Sequence, residues 1–403
     1  MTNINEVLSP TKVSGTSRRT SGSTAALACA AMLVSYLPFS AVNGELGTIG
    51  RQLNATSREL GWVTGSFTIA LVVAIVIGSV LSRRFGSRFL TLVGLTAGVC
   101  ASAVGFACHS LPSLWAAQAL IGVGAGTVMT ASLSLIGATA VSTAARTRSI
   151  AIWAGANVAG LGLGPFIAIL ATSVGGWQWL YLPVVVLAIA VVVFGSLRAL
   201  EAPRSSSKGA PLSSVPRLLA IPPYSAAALA AFVMLFTVIG VVFTVSLSLS
   251  QHGVDALGIA LALGCLFAGN AAASVAAGSL QLRLGARKVL VAGLVVTVLG
   301  LLVAGHSSPE VGDLSWRLAL VGLGAGLVIA TSSALAIRTS PPELMAVAGT
   351  GNSAIRQLGG AAAPLVLAGL TWSISFAVVL AAVIVAVIAI VATFIITNRK
   401  VRS

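Results

Sequence analysis

Arg356 stands about halfway along an apolar run at 343–370. A charge in hydrocarbon costs at least ~2.5–3.5 kcal/mol on insertion scales, and such residues are usually functional. The guanidinium either holds an anionic group of a ligand and gates an interface, or caps backbone carbonyls that a Gly-rich helix exposes. Gln357 beside it points about 100° away, so the two need not act together. Glu45 is the only acid near the interior of such a run, at 24–47. Desolvation raises a carboxyl pKa toward neutrality, which would let Glu45 take up and release a proton. The alternative is a solvated carboxylate just outside the run. The remaining acids, Glu6, Glu59, Glu201, Asp255, Glu310, Asp313 and Glu343, are expected in loops or tails.

Neutral polar residues recur at depth: Asn43, Asn157, Asn270, Asn352 and Gln118. Asn carries both donor and acceptor and could line a ligand path. For any single one, a hydrogen bond between helices, worth about 0.6 kcal/mol, is the simpler reading. Asn157 and Asn270 fall nearest the middle of their runs. Trp153 either stacks on an aromatic or cationic ligand or serves packing. The glycines of GVGAG at 122–126 have no strand before them and no Gly-Lys-Ser/Thr after them, so they do not suit a nucleotide phosphate. Cys29, Cys100, Cys108 and Cys265 lie in apolar runs without CxxC spacing, which suits inert thiols rather than zinc or disulfides. No cofactor, no metal and no enzymatic chemistry are expected.

These side chains need elements to hold them, and composition says which. Of 403 residues, 57% are hydrophobic and 8% charged, against about 25% charged in soluble chains. A span needs about 20 mostly apolar residues. Twelve runs qualify: 24–47, 60–82, 89–108, 111–141, 147–172, 176–200, 223–250, 256–282, 288–306, 314–338, 343–370 and 372–397. The break at 201–222, rich in Ser, Pro and basic residues, reads as a flexible cytoplasmic linker. It divides the chain into a tail (1–23), a first bundle (24–200), a second bundle (223–397) and a second tail (398–403). The runs are continuously apolar, unlike the ~10-residue alternating strands of a barrel. The long first run reads as a retained span and not as a signal peptide.

The net charge of +15 would suggest nucleic acid in a soluble protein. Here it sorts by loop. With a cytoplasmic N terminus, nineteen of the 23 Lys and Arg face the cytoplasm, among them Arg83, Arg84, Arg88, Arg146, Arg148, Arg283 and Arg338. Only Arg51, Arg58 and Arg317 lie outside. Both termini are therefore expected in the cytoplasm. Trp62, Trp115, Trp177, Trp179, Trp316 and Trp372 form an expected outer aromatic belt.

The halves repeat. GVGAG at 122–126 returns as GLGAG at 322–326, SVLSRRFGSR at 79–88 as GSLQLRLGAR at 278–287, and Pro165 as Pro364. The loop repeat pairs Gly86 and Arg88 with Gly285 and Arg287, and Arg84 with Arg283. Two parallel six-span repeats are a secondary-transporter plan, with the ligand site at the repeat interface near midplane. In the fifth run Gly155, Gly160, Gly164 and Pro165 form a small-residue stripe ending at a kink-capable proline.

RSIAIWAGANVAGLGLGP at 148–165, ELGWVTGSFTIAL at 59–71, GGWQWLYLP at 175–183 and GNSAIRQLGG at 351–360 resemble motifs of the major facilitator superfamily. They are most similar to its drug:proton antiporter branches, especially the fourteen-helix one. This chain has twelve runs, since 201–222 cannot hold two more helices. The resemblance implies an all-α integral membrane fold of twelve helices in two pseudo-symmetric six-helix bundles. It also implies that the fifth helix controls opening between the halves, and that export is coupled to proton entry. Several family positions differ. Arg83 stands for Asp in the first loop motif and Ser79 for its leading Gly. Gln118 stands for Arg in the fourth helix, and Pro38 and Gly65 stand where acids are common. Ala168 and Ile169 replace a Gly pair after the fifth-helix Gly-Pro. The acids and base tied there to proton coupling and cation binding are largely absent.

The expected protein is thus an exporter of a small organic molecule or drug by proton antiport. It would sit in the lipid bilayer of the cell inner membrane, as a monomer, without nucleic acid. The alternatives are an uptake permease for a small anionic metabolite, or a non-transporting sensor of the same fold.

Overall fold

In a bilayer every backbone polar group must be satisfied within the segment, so continuously apolar runs fold as helices. A computed structural model of the protein describes residues 15–140, 142–197, 214–306 and 310–402. The first 14 residues, linker positions 198–213 and the side chain of Arg83 lie outside the described residues. The helices in chain order are α1 (Gly15–Gly44), α2 (Leu46–Gln52), α3 (Ser57–Phe85), α4 (Ser87–Phe106), α5 (Leu111–Thr139), α6 (Thr143–Thr172) and α7 (Tyr181–Leu197). They continue as α8 (Val215–Leu219), α9 (Pro222–Gln251), α10 (Ala256–Leu284), α11 (Ala286–Gly305), α12 (Val311–Arg338), α13 (Met345–Leu367) and α14 (Trp372–Arg402). Among the described residues, eleven helices are long and apolar enough to cross a membrane. The twelfth, α13, is less apolar because it carries Asn352, Arg356 and Gln357. It packs against α9 in its own half and against α3 of the other.

Local sequence explains the helix starts. Thr56 and Glu59 form a capping box on α3, with the Thr56 N–H donating to Glu59 Oε2 at 2.8 Å. Asp255 caps α10 by accepting from the Gly258 N–H at 2.9 Å, and Ser142 caps α6 by accepting from Ala145. Glu59 and Asp313, expected in loops, are therefore first-turn residues of α3 and α12. The α3–α4 and α10–α11 hairpins each turn on one glycine, Gly86 at φ 90° and Gly285 at φ 86°. That backbone region is open to glycine and strained for other residues. The expected linker is helical over Val215–Leu219, where fully buried Leu218 holds it against the bundle. It is thus structured from that point on.

The repeat seen in sequence is a repeat of contacts. Gly122 and Gly126 on α5 lie against the backbone of α3 at Phe67 and Leu71. Gly322 and Gly326 on α12 lie in the same way against Leu266 and Asn270 of α10. The middle glycines face a third helix, Gly124 against Gly94 and Gly98 of α4, and Gly324 against Gly293 and Thr297 of α11. Helices in lipid gain little by hiding apolar surface, so close backbone approach at small residues carries the association. The two halves meet mainly through α3 against α13 and α6 against α10.

A side chain forced into one of these crossings should cost ~1–3 kcal/mol by overpacking. Gly322→Leu is therefore expected to lower the melting temperature of the purified protein. Gly278→Leu, where an added Cβ meets open space, should change it little. Equal effects from the two would refute the backbone-contact account.

Candidate functional site

Residue spacing puts Arg356 eleven residues from either end of α13, about 16 Å at 1.5 Å per residue. Protein encloses it on all sides, yet its surface is only half-buried, so the guanidinium faces internal space. It has no hydrogen bond or ion pair among the described residues. Tyr36 of α1 is the titratable group that interacts with it electrostatically. Gln357, next along the helix, donates from Nε2 to the Tyr36 hydroxyl at 3.3 Å and approaches Met129 Sδ of α5 at 3.9 Å. Tyr36 in turn donates to Met129 Sδ at 3.7 Å. The cluster joins both halves midway along the spans. Phe67 meets Tyr36 edge-on at 5.9 Å and stacks on Phe39 at 4.2 Å, so the wall beside it is aromatic.

Two expected polar residues belong here. Asn157 of α6 lies near the Tyr36 hydroxyl, but its buried Nδ2 makes no hydrogen bond of proper geometry. Asn352, one turn from Arg356 on the same face of α13, is 1% exposed, and neither Nδ2 nor Oδ1 has a partner. Buried polar atoms are rarely left unpaired, so these two are open for a further contact. Tyr36, Met129 and Gln357 were missed as site residues. Tyr36 carried a signal, a tyrosine two residues before Pro38 in the first apolar run.

The other candidates sit elsewhere. Asn43 donates to Phe39 O at 2.8 Å and accepts from Thr64 at 2.9 Å, which occupies it between α1 and α3. Asn270 accepts from Ser274 at 3.3 Å and presents its backbone to Gly322 and Gly326. It lies in the α10–α12 crossing. Gln118 donates to Tyr181 at 3.0 Å between α5 and α7, and its Oε1 is unpaired. Trp153 is buried and donates to Ser132 at 2.8 Å, so its indole packs α6 on α5. Trp177, expected in the lipid-facing belt, is 1% exposed and packs inside the protein.

Glu45 is not inside a span: α1 ends at Gly44, and Glu45 is the break before α2. It is still buried. Burial pushes its carboxyl above the ordinary range, while a hydrogen bond from Thr48 and the charge of Arg51 pull it partly back. Arg51 also reaches the other half, donating to Ser250 Oγ of α9 at 2.8 Å. At this same end Gly61 of α3 faces Pro364 and Ala368 of α13, and Gly65 faces Leu365. The described contacts between halves thus gather at the Arg51 end.

The hinge candidates divide by contact. Gly160 abuts Leu33 O, and an added Cβ at Gly164 would meet Ser40 Cβ at 2.5 Å, so this face of α6 rides on the backbone of α1. Pro165 meets Gly44. Gly155 opens instead on an apolar cleft of about 450 Å³ between α6 and α10, also lined by Gly162, Phe166, Gly264, Phe267 and Ala271. Arg84 stacks over Phe85, Arg88 donates to Gly195 O at 3.3 Å, and Arg283 is exposed.

The family model of the Major Facilitator Superfamily matches residues 28–255 and again 227–403, which together span nearly the whole chain. The chain belongs to the Major Facilitator Superfamily. It is a multi-pass membrane protein. It is 30% identical over 150 residues to the methylenomycin A resistance protein of Bacillus subtilis (strain 168), covering 37% of this chain and 32% of that protein. It is 25% identical over 380 residues to the tetracenomycin C resistance and export protein of Streptomyces glaucescens, covering 79% and 70%. The match to the first of these spans about a third of that relative's length. Among solved structures it is similar to a bacterial homologue of the human lysosomal transporter Spinster in an inward-facing, occupied conformation. The TM-score is 0.73 at 15% identity, over 93% of this chain and 96% of that one. At that identity the likeness is one of fold.

Closure at the Arg51 end can be tested directly. With the native cysteines replaced by alanine and a protease site inserted in 201–213, the pair Gly65→Cys and Leu365→Cys is expected to form a disulfide on mild oxidation. The cleaved halves should then stay together on a denaturing gel and transport should stop. Halves that separate under oxidation would contradict this closure.

Proposed function

We propose that this transporter exports a small organic molecule by alternating access, rocking its two six-helix halves around the Tyr36–Met129–Gln357–Arg356 cluster. The observation that carries the reading is a polar junction of both halves at mid-depth, below an end closed by α3–α13 contacts and the Arg51–Ser250 bond. On this reading the site opens toward the other end, where Arg84, Arg88, Arg146, Arg148, Arg283, Arg287, Lys288 and Arg338 lie. By the excess of basic residues that end is cytoplasmic, which puts both termini in the cytoplasm of a cell whose inner membrane holds the protein. Relatives named for resistance and export support the outward direction.

Proton antiport rests on Glu45. It is a buried carboxyl beside the Arg51–Ser250 contact between halves, and its pKa is raised, so it takes up a proton at a higher pH than an ordinary carboxylate. Protonation removes the charge that faces Arg51, which would loosen this end from within.

Expression should protect cells against at least one compound in a panel of toxic organic molecules, and inverted vesicles should accumulate that compound. Depletion from the vesicles, or no flux at all, would refute export. An imposed pH gradient should speed wild-type uptake into inverted vesicles when their interior is acidic. In Glu45→Gln, which cannot titrate, that acceleration should vanish. A pH dependence unchanged by Glu45→Gln would remove Glu45 as proton carrier.

A further inference from the structure

Arg356 has no compensating charge among the described residues. Among the described residues the acids Glu45, Glu59, Asp255, Glu310, Asp313 and Glu343 all lie at or near helix ends, and Asp313 is paired with Arg317. Arginine stays protonated in proteins. Its five N–H donors therefore have no protein acceptor among the described residues. The neighbours do not supply one of the right charge. Tyr36 already accepts from Gln357 and donates to Met129. Asn352 and the Asn157 amide nitrogen are themselves unpaired. This is a surplus of donors around a single positive charge, beside the aromatic wall of Tyr36, Phe39 and Phe67.

We propose that the central site takes an amphiphilic organic monoanion, its carboxylate or equally acidic group held by Arg356. A guanidinium pairs with a carboxylate through two parallel hydrogen bonds. Asn352, one turn along the same helix face, completes the anion's coordination, and the apolar body of the ligand lies toward Phe67 and Met129.

The charge balance follows. The empty site carries one positive charge, and the loaded site carries none. The loaded transporter reorients without moving charge, and the empty one returns carrying the positive charge of Arg356. Each outward turnover therefore moves one negative charge out of the cell through this site, and a proton entering through Glu45 would add a second charge in the same electrical sense. An inside-negative potential drives this cycle outward. At ~2.3 kcal/mol per charge per 100 mV, the gradient it sustains is roughly fifty-fold. The direction rests on the export reading above, while the ligand class rests on the site alone.

The test uses purified protein in nanodiscs and three matched probe sets: aromatic carboxylates such as 1-naphthoate, their neutral amides, and the corresponding primary amines. The acids are expected to bind at least tenfold more tightly than their amides and amines. Arg356→Gln should abolish that preference, and Arg356→Lys, which keeps the charge but not the fork, should retain part of it. Both variants are checked for monodispersity, and Asn352→Ala should weaken acid binding in a protein with Arg356 intact. In proteoliposomes, the flux of the tightest acid should rise several-fold when a potassium–valinomycin potential makes its compartment negative. Amines binding as well as acids, no acid binding, acid binding unchanged in Arg356→Gln, or flux indifferent to potential would each overturn the proposal. Outward flux of an amine that survives Arg356→Gln would overturn the anion site and leave export standing. Tight acid binding with inward flux would do the reverse.

Discussion

Helices dissolved in hydrocarbon have no water to escape, so what holds them together is contact close enough for dispersion and weak backbone interactions. In this protein that contact is made at glycine. The rows at 122–126 and 322–326 bring α5 and α12 onto the backbones of their neighbours, and Gly160 and Gly164 bring α6 onto α1. The rest of each half is arranged around these crossings. They also explain why the two halves look alike: the same three-helix contact is built twice.

The interface between halves is of another kind. It is made largely by side chains, among them Arg51 to Ser250, Gln357 to Tyr36, and Leu365 over Gly65, with one close glycine–backbone approach at Gly61 and Pro364. Such contacts can be exchanged at small cost, whereas a backbone crossing cannot be remade elsewhere. Rigid halves joined by replaceable contacts are what rocking motion requires. Three residues near this interface carry the unusual polarity. Arg356 and Asn352 lack partners at mid-depth, and Glu45 sits in a break at the end where the halves close.

Charge divides the molecule more sharply than shape. Fifteen basic residues of the described helices belong to one end, while Arg51, Arg58 and Arg317 share the other with five acids. Arg317 is neutralised by Asp313 at 2.6 Å. Among the described residues the interior is left with a single unneutralised cation, Arg356, and a lone charge in low dielectric dominates the energetics of whatever binds beside it.

Spans, their approximate ends, the loop charge bias and the repeat were legible because each is written in composition or spacing. Apolar length gives a helix, Lys and Arg give a side, and repeated Gly-x-Gly-x-Gly gives a repeated crossing. The depth of Arg356 was legible in the same way. Which polar residues share a site was not. Asn43, Asn270, Gln118 and Trp153 look alike in sequence to Asn157 and Asn352, yet the first four find partners in helix crossings or packing. Tyr36 and Gln357 meet across 321 residues, and no local pattern encodes that separation. The break after Gly44, which moved Glu45 out of its span, was likewise hidden in an unbroken apolar run. The sequence by itself determined a twelve-helix duplicated membrane protein with one interior charge, because hydropathy, charge and glycine spacing act through local and periodic physics. Only the tertiary structure decided which side chains surround that charge, because helix rotation and partner choice depend on how all twelve surfaces fit at once.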